Sequence, residues 1–409
     1  MSAAERAKIV IIGGGAVGCG VAYQLARAGE TDILLLEKES SPAAVTSSQA
    51  AGLVGQVRGT VERVQLAQWS VATFEELQKD PVANPSWRQV GSLRVALCKE
   101  RVAAFEKLAS VAAEANLEVE FIDAARAKRL WPALDFSSAE AILYCPSDGY
   151  LQPYDLAMAY VKHCREMGVR FENSRAATGL VLSGNRVTGV ETDIGTIECE
   201  TVINAAGAHA YHIAQWAGLQ LPIVPVRHEF LITVHCEGMD PHQPVVRIPD
   251  GSIYLRPEVG GLLLGGWEPD SLSTDPRNYS AAESPPRLEA DYDALAFFVE
   301  KMQPQFAAIE QLGIRSVFKG WPTFTPDGRF IVGPSQQVEG FVMAGGCNAH
   351  GVSGSAGIGR HVVESMQQAE PSDYVRSLSP DRFAVNRWDW ESAAAAARNV
   401  YETYYGMGE

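Results

Sequence analysis

The run Gly13-Gly-Gly15-Ala-Val-Gly18 limits what this chain can fold into more than any other feature, because of what stands on either side of it. Lys8-Ile-Val-Ile-Ile12 before it is a short β-branched stretch that stops at glycine. After it, residues 17–28 repeat apolar side chains at Val17, Val21 and Leu25 until Gly29. Ile33-Leu-Leu-Leu36 then reads as a second buried strand. Strand, helix and strand within about 30 residues make a βαβ unit, whose handedness sets the strands parallel with the helix across one face. Each glycine has its own job: Gly13 permits the tight turn, Gly15 lets backbone approach a pyrophosphate, and Gly18 lets helix and strand close together. Ala16 and Val17 open the helix whose N-terminus attracts the anion. Glu37, 19 positions after Gly18 and followed by Lys38, can accept a hydrogen bond from a ribose hydroxyl. The pattern predicts an α/β fold that binds a dinucleotide, and it does not separate FAD from NAD, since both present the same ADP moiety.

A chain of 409 residues can bury a large core and has room for two or three units of about 150 residues. The formal net charge of -15 repels nucleic-acid phosphates and anionic lipid, so neither nucleic acid nor a membrane is an expected partner. Seven scattered cysteines without a CxxC pair suggest no disulfide framework and no metal site, and a reducing compartment fits them. The apolar run before Gly13 is too short for a membrane span or an export signal, which predicts a cytoplasmic protein.

Further along, helical patterning covers 65–77, about 100–115 and 154–167, with a strand over 91–97. Residues 179–206 alternate as a meander that ends in Thr201-Val-Ile-Asn-Ala-Ala-Gly207, and 223–267 is strand-rich with turns at Pro249-Asp-Gly251 and Gly260-Gly261. A last strand over 340–346 runs into the glycine-rich stretch 351–359 and a helix to about 368, and Ala393 to Ala397 lie in a further helix. These elements predict a discontinuous Rossmann-like domain with a parallel sheet over 1–85, 145–222 and 318–370. An antiparallel β-sheet with helices forms the second, substrate domain over 86–144 and 223–317, and 371–409 is a C-terminal helical tail.

Four places along the chain resemble the FAD-dependent amine oxidoreductases of the D-amino acid oxidase superfamily, most closely the flavin module of dimethylglycine and sarcosine dehydrogenases. They are the N-terminal fingerprint, Ser47-Ser-Gln-Ala-Ala-Gly-Leu53, Thr323-Phe-Thr-Pro-Asp-Gly-Arg329 and Gly345-Gly-Cys-Asn-Ala-His-Gly351. The tail from Asp381-Arg-Phe383 through Tyr401-Glu-Thr-Tyr404 also looks like the end of that module. The resemblance implies FAD as cofactor. It places Ser47, Ser48, Gln49, Ala51, Gly52 and Leu53 over the isoalloxazine ring. Gly346, Asn348, His350, Gly351 and Val352 then stand at the ring's pyrimidine edge, where a helix N-terminus near His350 stabilises the charge of reduced flavin. Ala206 and Gly207 join the cofactor set, and His209 after them could touch cofactor. Where dimethylglycine dehydrogenases carry a covalently linked histidine this chain has Gln49, and Gly320 stands where sarcosine oxidases carry the linking cysteine. Non-covalent FAD follows, unless Cys347 offers another attachment. Leu263 replaces the lysine that promotes reaction with oxygen in sarcosine oxidases, which leaves oxygen or an electron-transfer acceptor as the oxidant.

For catalysis the resemblance points to His228 in Val226-Arg-His-Glu-Phe230 and to Tyr254 in Tyr254-Leu-Arg-Pro-Glu258. A histidine and tyrosine pair suits amine oxidation, because the nitrogen must lose a proton before hydride leaves the adjacent carbon. A substrate carboxylate wants a guanidinium. Arg58 is the candidate, with Arg256 or Arg227 as a replacement for a second cation that Ser353 does not supply, and His350 is close by. His163, His212, His235, His242 and His361 stand in no motif and are expected to be solvated or packing residues. The implied reaction is hydride transfer from a secondary or tertiary, N-methyl, amine or amino acid to flavin N5, then iminium hydrolysis to the demethylated amine and formaldehyde. The resembling multidomain enzymes append a folate-binding module that captures the one-carbon unit. This chain ends before such a region, so free formaldehyde or a separate acceptor is expected. Oxidation of a cyclic or primary amino acid or hydroxy acid on the same fold is an alternative. So is a role as the flavin subunit of a hetero-oligomeric dehydrogenase, and a homo-oligomer is equally open.

Overall fold

The computed structural model of the chain describes residues 5–385 and 388–404. The fingerprint strand Ile9–Ile12 lies inside a six-stranded sheet. Its order is Arg170–Glu172, Ile33–Leu36, Ile9–Ile12, Thr201–Asn204, Phe341–Gly345 and Ile331–Pro334. Neighbours run parallel except for the last pair. A parallel sheet needs cover on both faces, which explains why these strands are apolar throughout rather than alternating. Ile9 and Ile11 join the core of the helix Ala16–Arg27 through Val21 and Leu25. Val10 and Ile12 face the other way, against Ile213 and against Val187, Val190 and Ile197 of the meander. That meander is a separate four-stranded sheet closed at one edge by Glu5–Arg6.

The helix Ser355–Gln367 lies across Ala16–Arg27 at backbone contact distance. A Cβ on Gly20 would come within 2.7 Å of the Ser355 carbonyl oxygen, and one on Gly359 within 2.7 Å of the Gly20 oxygen. One on Gly357 would meet the Leu66 oxygen at 2.3 Å. The glycine-rich stretch therefore divides its work, with Gly357 and Gly359 serving helix packing. The helix itself begins at Ser355, later than the start expected near His350 and Gly351. Residues 351–354 form a turn in which the Gly354 N–H donates to the His350 carbonyl at 2.8 Å. Glycine has no side chain to reveal that boundary by periodicity or capping.

An eight-stranded sheet forms the second layer, ordered Ile314–Gly320, His228–Thr233, Gly261–Gly266, Ile253–Glu258, Val245–Ile248, Ser92–Ala96, Ala141–Cys145 and Glu120–Ile122. All neighbours are antiparallel save Val245–Ile248 beside Ser92–Ala96. Side chains alternate by the strand period. Leu231, Val246, Leu255, Leu262 and Leu264 cover one face with the helix Tyr292–Met302, and Phe230, Ile232, Tyr254 and Leu263 point to the other. The boundary expected at residue 318 falls inside the strand Ile314–Gly320, which stays in this sheet because it pairs along His228–Thr233. The C-terminal segment, helical over Trp390–Glu402, packs on this sheet. Ala394, Ala397 and Tyr401 of the helix Trp390–Glu402 are buried among Phe230, Tyr254 and Trp267 on the second face. No described helix is long and apolar enough to cross a membrane.

Candidate active site

A cavity of about 660 Å³ lies between the two layers, with Gly13, Gly15, Glu37 and Lys38 at one end and His228, Tyr254 and Arg58 at the other. At the first end the turn is dictated by backbone. Gly13 has φ 110°, and a Cβ there would sit 2.6 Å from the Ala205 oxygen. A Cβ on Gly18 would sit 1.9 Å from the Gly13 oxygen, so Gly18 works behind the cavity wall, as helix-to-strand contact. Glu37 is fixed by two amides, accepting from Gly14 N–H at 2.8 Å and from Glu39 N–H at 2.9 Å. Its burial pushes the carboxyl above the ordinary range. Ser47 Oγ accepts from the Ala16 N–H at 3.0 Å, which brings the second sequence segment against the helix start beside Val17. Ala206 and Gly207 line the same end, with Lys38 Nζ 3.1 Å from His209 Nε2. Burial and the Lys38 charge hold His209 down at about 4, so it is neutral. Glycine turn, helix start, buried acid and lysine together fit the ADP half of a dinucleotide.

In the middle, Gln49, Ala51, Gly52 and Leu53 line the cavity, while Ser48 does not and turns its hydroxyl to the Val45 carbonyl. Gly52 has φ 71° and no space for a side chain, since a Cβ would meet the Leu151 oxygen at 2.1 Å. Gly320 and Gln49 face each other: a Cβ on Gly320 would lie 3.5 Å from the Gln49 Cβ. Neither side chain is a nucleophile. Cys347 also lines the cavity, but burial pushes its thiol up to about 12, so it is protonated. Asn348, with φ 45°, accepts from the Thr325 N–H at 3.0 Å and donates to the Gly346 carbonyl at 3.1 Å, tying the third and fourth segments together. Gly346 is outside the lining and packs on Thr325, whereas His350, Gly351 and Val352 are part of it.

At the far end His228 stands opposite Gly320 in the strand register, and its ring is held from both sides. Nε2 is 2.7 Å from the Tyr254 hydroxyl and Nδ1 is 3.2 Å from the Tyr401 hydroxyl. Tyr401 donates to Glu268, and Glu268 pairs with Arg227 at 3.0 Å. Burial and the Glu268 charge raise Tyr401 well above the ordinary phenol, so it keeps its proton. Its hydroxyl oxygen is therefore the acceptor for His228, which assigns hydrogen to Nδ1 and leaves Nε2 to accept from Tyr254. Burial first, then the Arg227 charge, lowers His228 to about 3, so the ring is neutral. Aromatic planes enclose the space. Trp267 stacks on His228 at 4.5 Å and on Tyr404 at 3.7 Å, and the Tyr404 hydroxyl is 3.0 Å from His350 Nε2.

Arg58 reaches this end of the cavity, but Arg256 does not. Arg256 is 2% exposed, donates to the Ala51 carbonyl at 2.9 Å, pairs with Glu258 and lies on the Tyr150 ring, so it props the segment around Gln49 from behind. Arg227 is equally engaged, with Glu268 and Asp291. His212 and His361 are buried packing residues. Trp267, Tyr401, Tyr404, Glu268, Arg94 and Arg247 belong to the site or its support and were not singled out from sequence. The available signal was weak: one arginine in each of the apolar strands Ser92–Ala96 and Val245–Ile248, and two tyrosines three residues apart in the tail.

The chain belongs to the FAD dependent oxidoreductase (DAO) family, whose pattern matches residues 8–365. FAD is accordingly its cofactor and redox chemistry its activity. It is 30% identical to a 4-methylaminobutanoate oxidase (formaldehyde-forming) of Paenarthrobacter nicotinovorans, over 98% of this chain and 48% of that protein. It is also 30% identical to the mitochondrial dimethylglycine dehydrogenase of Rattus norvegicus, over 98% of this chain and 47% of that one. The chain thus spans about half the length of these curated relatives. Among solved structures, an L-proline dehydrogenase from P. horikoshii superposes with a TM-score of 0.84 at 24% identity, covering 95% of this chain and all of that one, which shows the fold.

Proposed function

We propose that this protein oxidises a secondary or tertiary amine, in the leading case an N-methyl amino acid, to the demethylated amine and formaldehyde. The observation that carries the reading is the hydrogen-bonded His228–Tyr254 pair, with its neutral imidazole, beside Gln49 and Gly320, the cavity also being lined by aromatic rings and by Arg58. A carboxylate held by Arg58 sets the amine against Trp267, Tyr254 and Tyr404, whose faces accept N-alkyl groups. Burial and the nearby guanidinium charge disfavour an ammonium there, so the nitrogen gives up its proton more readily than in water. Tyr254 oxygen receives that proton while its own passes to His228 Nε2, which, held at about 3, relays the proton onward rather than keeping it, and Tyr401 and Glu268 hold the ring in the tautomer that can accept it. The chemistry that bound FAD supplies is acceptance of a hydride from the carbon next to nitrogen. Water then adds to the resulting iminium, which divides into amine and formaldehyde.

The flavin in this reading is not covalently bound, because Gln49 and Gly320 offer no nucleophile and Cys347 is a protonated thiol. An electron-transfer acceptor is favoured over oxygen, since Leu263 is apolar and 1% exposed on the sheet face that carries Tyr254. Seven free thiols support a reducing, cytoplasmic setting. Anaerobic bleaching of the flavin by a panel of N-methyl amino acids, simple secondary amines, primary amino acids and hydroxy acids tests the function. N-methyl compounds should bleach it with one formaldehyde per flavin reduced. Bleaching by hydroxy acids alone, or release of ammonia without formaldehyde, would overturn the reading. Acid precipitation should leave the flavin in the supernatant.

A further inference from the structure

Arg94 and Arg247 are register partners on adjacent parallel strands and both line the cavity, at 3% and 7% exposure. Like charges side by side in a sheet repel, and burial raises the cost of each. Their strand neighbours Leu93, Val95, Val246 and Ile248 are core residues on the opposite face, so the two arginines stand on the cavity side of the sheet. Arg247 Nη1 has no hydrogen-bond partner, although it is buried. Gly55 leaves room for this guanidinium, since a Cβ there would stand 3.0 Å from Arg247 Nη2. Arg58 adds a third charge. Its Nη1 donates to the Val57 carbonyl at 2.9 Å, and Arg94 Nη2 donates to the same oxygen at 3.0 Å, so the two guanidiniums converge. The mutual field is felt: burial first, then Arg94 and Arg247, pull Arg58 down to about 10.

Two further buried guanidiniums on or beside the sheet are neutralised within the protein, Arg227 by Glu268 and Asp291 and Arg256 by Glu258. Among the described residues, neither Arg58 nor Arg247 has a carboxylate within ion-pair distance. One substrate carboxylate would pair with only one of these two guanidiniums. We propose that the cavity takes an amine bearing two further negative charges, either an N-substituted dicarboxylic amino acid or an aminophosphonate, with Arg58 and Arg247 as its anion clamp. The substrate class rests on the reading of the protein as an amine oxidoreductase.

Two measurements on the purified holoenzyme test it. In the first, non-reacting glutarate and butyrate are titrated against the flavin absorption band. Glutarate should bind at least about tenfold more tightly, as one extra charge-assisted pairing would give, and Arg247→Met should reduce that advantage to under about threefold while Arg247→Lys retains part of it. Equal affinity in the wild-type protein would overturn the proposal without need of any variant. In the second, N-methylglutamate and N-methylaminomethylphosphonate are compared with sarcosine and N-methylalanine in anaerobic bleaching. Either dianionic compound should be preferred by about a hundredfold in the rate constant over dissociation constant, and which of the two leads identifies the anionic group. Monocarboxylic amines bleaching as efficiently as dianionic ones would overturn the dianion clamp and leave amine oxidation standing. Tight glutarate binding with no amine able to bleach the flavin would overturn amine oxidation and leave the anion site standing.

Discussion

The two ends of the cavity are built on different principles. The dinucleotide end comes mainly from one stretch, residues 9–38, closed by Ser47 and by Ala205 to His209, and mainly from backbone: a glycine turn, a helix start and one acid held by two amides. The far end gathers side chains from six separated places, with Arg58, His228, Tyr254, Trp267, His350 and Tyr404 meeting from as many segments. A site made of backbone tolerates almost no added atom, even where the neighbour is a distant backbone such as that of Ala205. One made of converging side chains survives individual changes to its walls, yet each change alters chemistry.

The sharpest break in that comparison is Gly18→Val. With even a Cβ 1.9 Å from the Gly13 oxygen, the turn must open. We expect the purified variant to lack the flavin absorbance of the wild type and to lose about 3 kcal/mol in denaturant unfolding. A yellow, equally stable variant would show that the turn is not rigid. His228→Asn should keep its flavin and lower the rate of reduction by substrate about a hundredfold to ten-thousandfold, the range of lost acid–base catalysis. Unchanged reduction would remove His228 from the chemistry.

The same histidine makes a pH prediction. Below the ordinary histidine range near 6.5 the unfolded chain takes up a proton that the folded chain, with His228 held at about 3, refuses. The unfolded state then binds more protons, so stability rises with pH between about 3 and 6.5, by up to about 1.4 kcal/mol per pH unit for this group. Urea midpoints between pH 5 and 7 should climb, and His228→Asn should flatten the climb. Tyr401→Phe sits lower in the order. It leaves Glu268 and His228 without their shared hydroxyl and should cost about 1–3 kcal/mol, with about a tenfold loss of reduction rate. The smallest effect is expected at Gly320→Ala, whose new methyl meets Thr46 and Gln49 only at ordinary contact distances of 3.4 and 3.5 Å. Stability should stay within about 0.5 kcal/mol, and a larger loss would mean the middle of the cavity is as tight as its dinucleotide end.

The helix and strand signals near the N-terminus were legible because a βαβ unit is local. Periodicity, glycine spacing and the acid after the second strand all fall within about 30 residues, so no distant contact can override them. The far end was only partly legible. His228 and Tyr254 could be singled out through resemblance, but that they share a hydrogen bond depends on two non-adjacent strands, His228–Thr233 and Ile253–Glu258, flanking Gly261–Gly266. Arg256, equally plausible as a carboxylate ligand on paper, points into a pocket of its own beside Glu258 and Tyr150. The two residues differ by two positions on one strand and share a face, so only the lateral neighbours decide which one meets the cavity.

By itself the sequence determined the parallel layer and the dinucleotide turn, because these follow from residue spacing and from the missing side chains of Gly13 and Gly18. Only the tertiary structure decided that Arg94 and Arg247 stand side by side, that Tyr401 and Tyr404 return from the C-terminal segment, and that Glu268 fixes the His228 ring. Each of those contacts joins residues far apart in the chain. Strand pairing and burial, rather than any local pattern, bring them together.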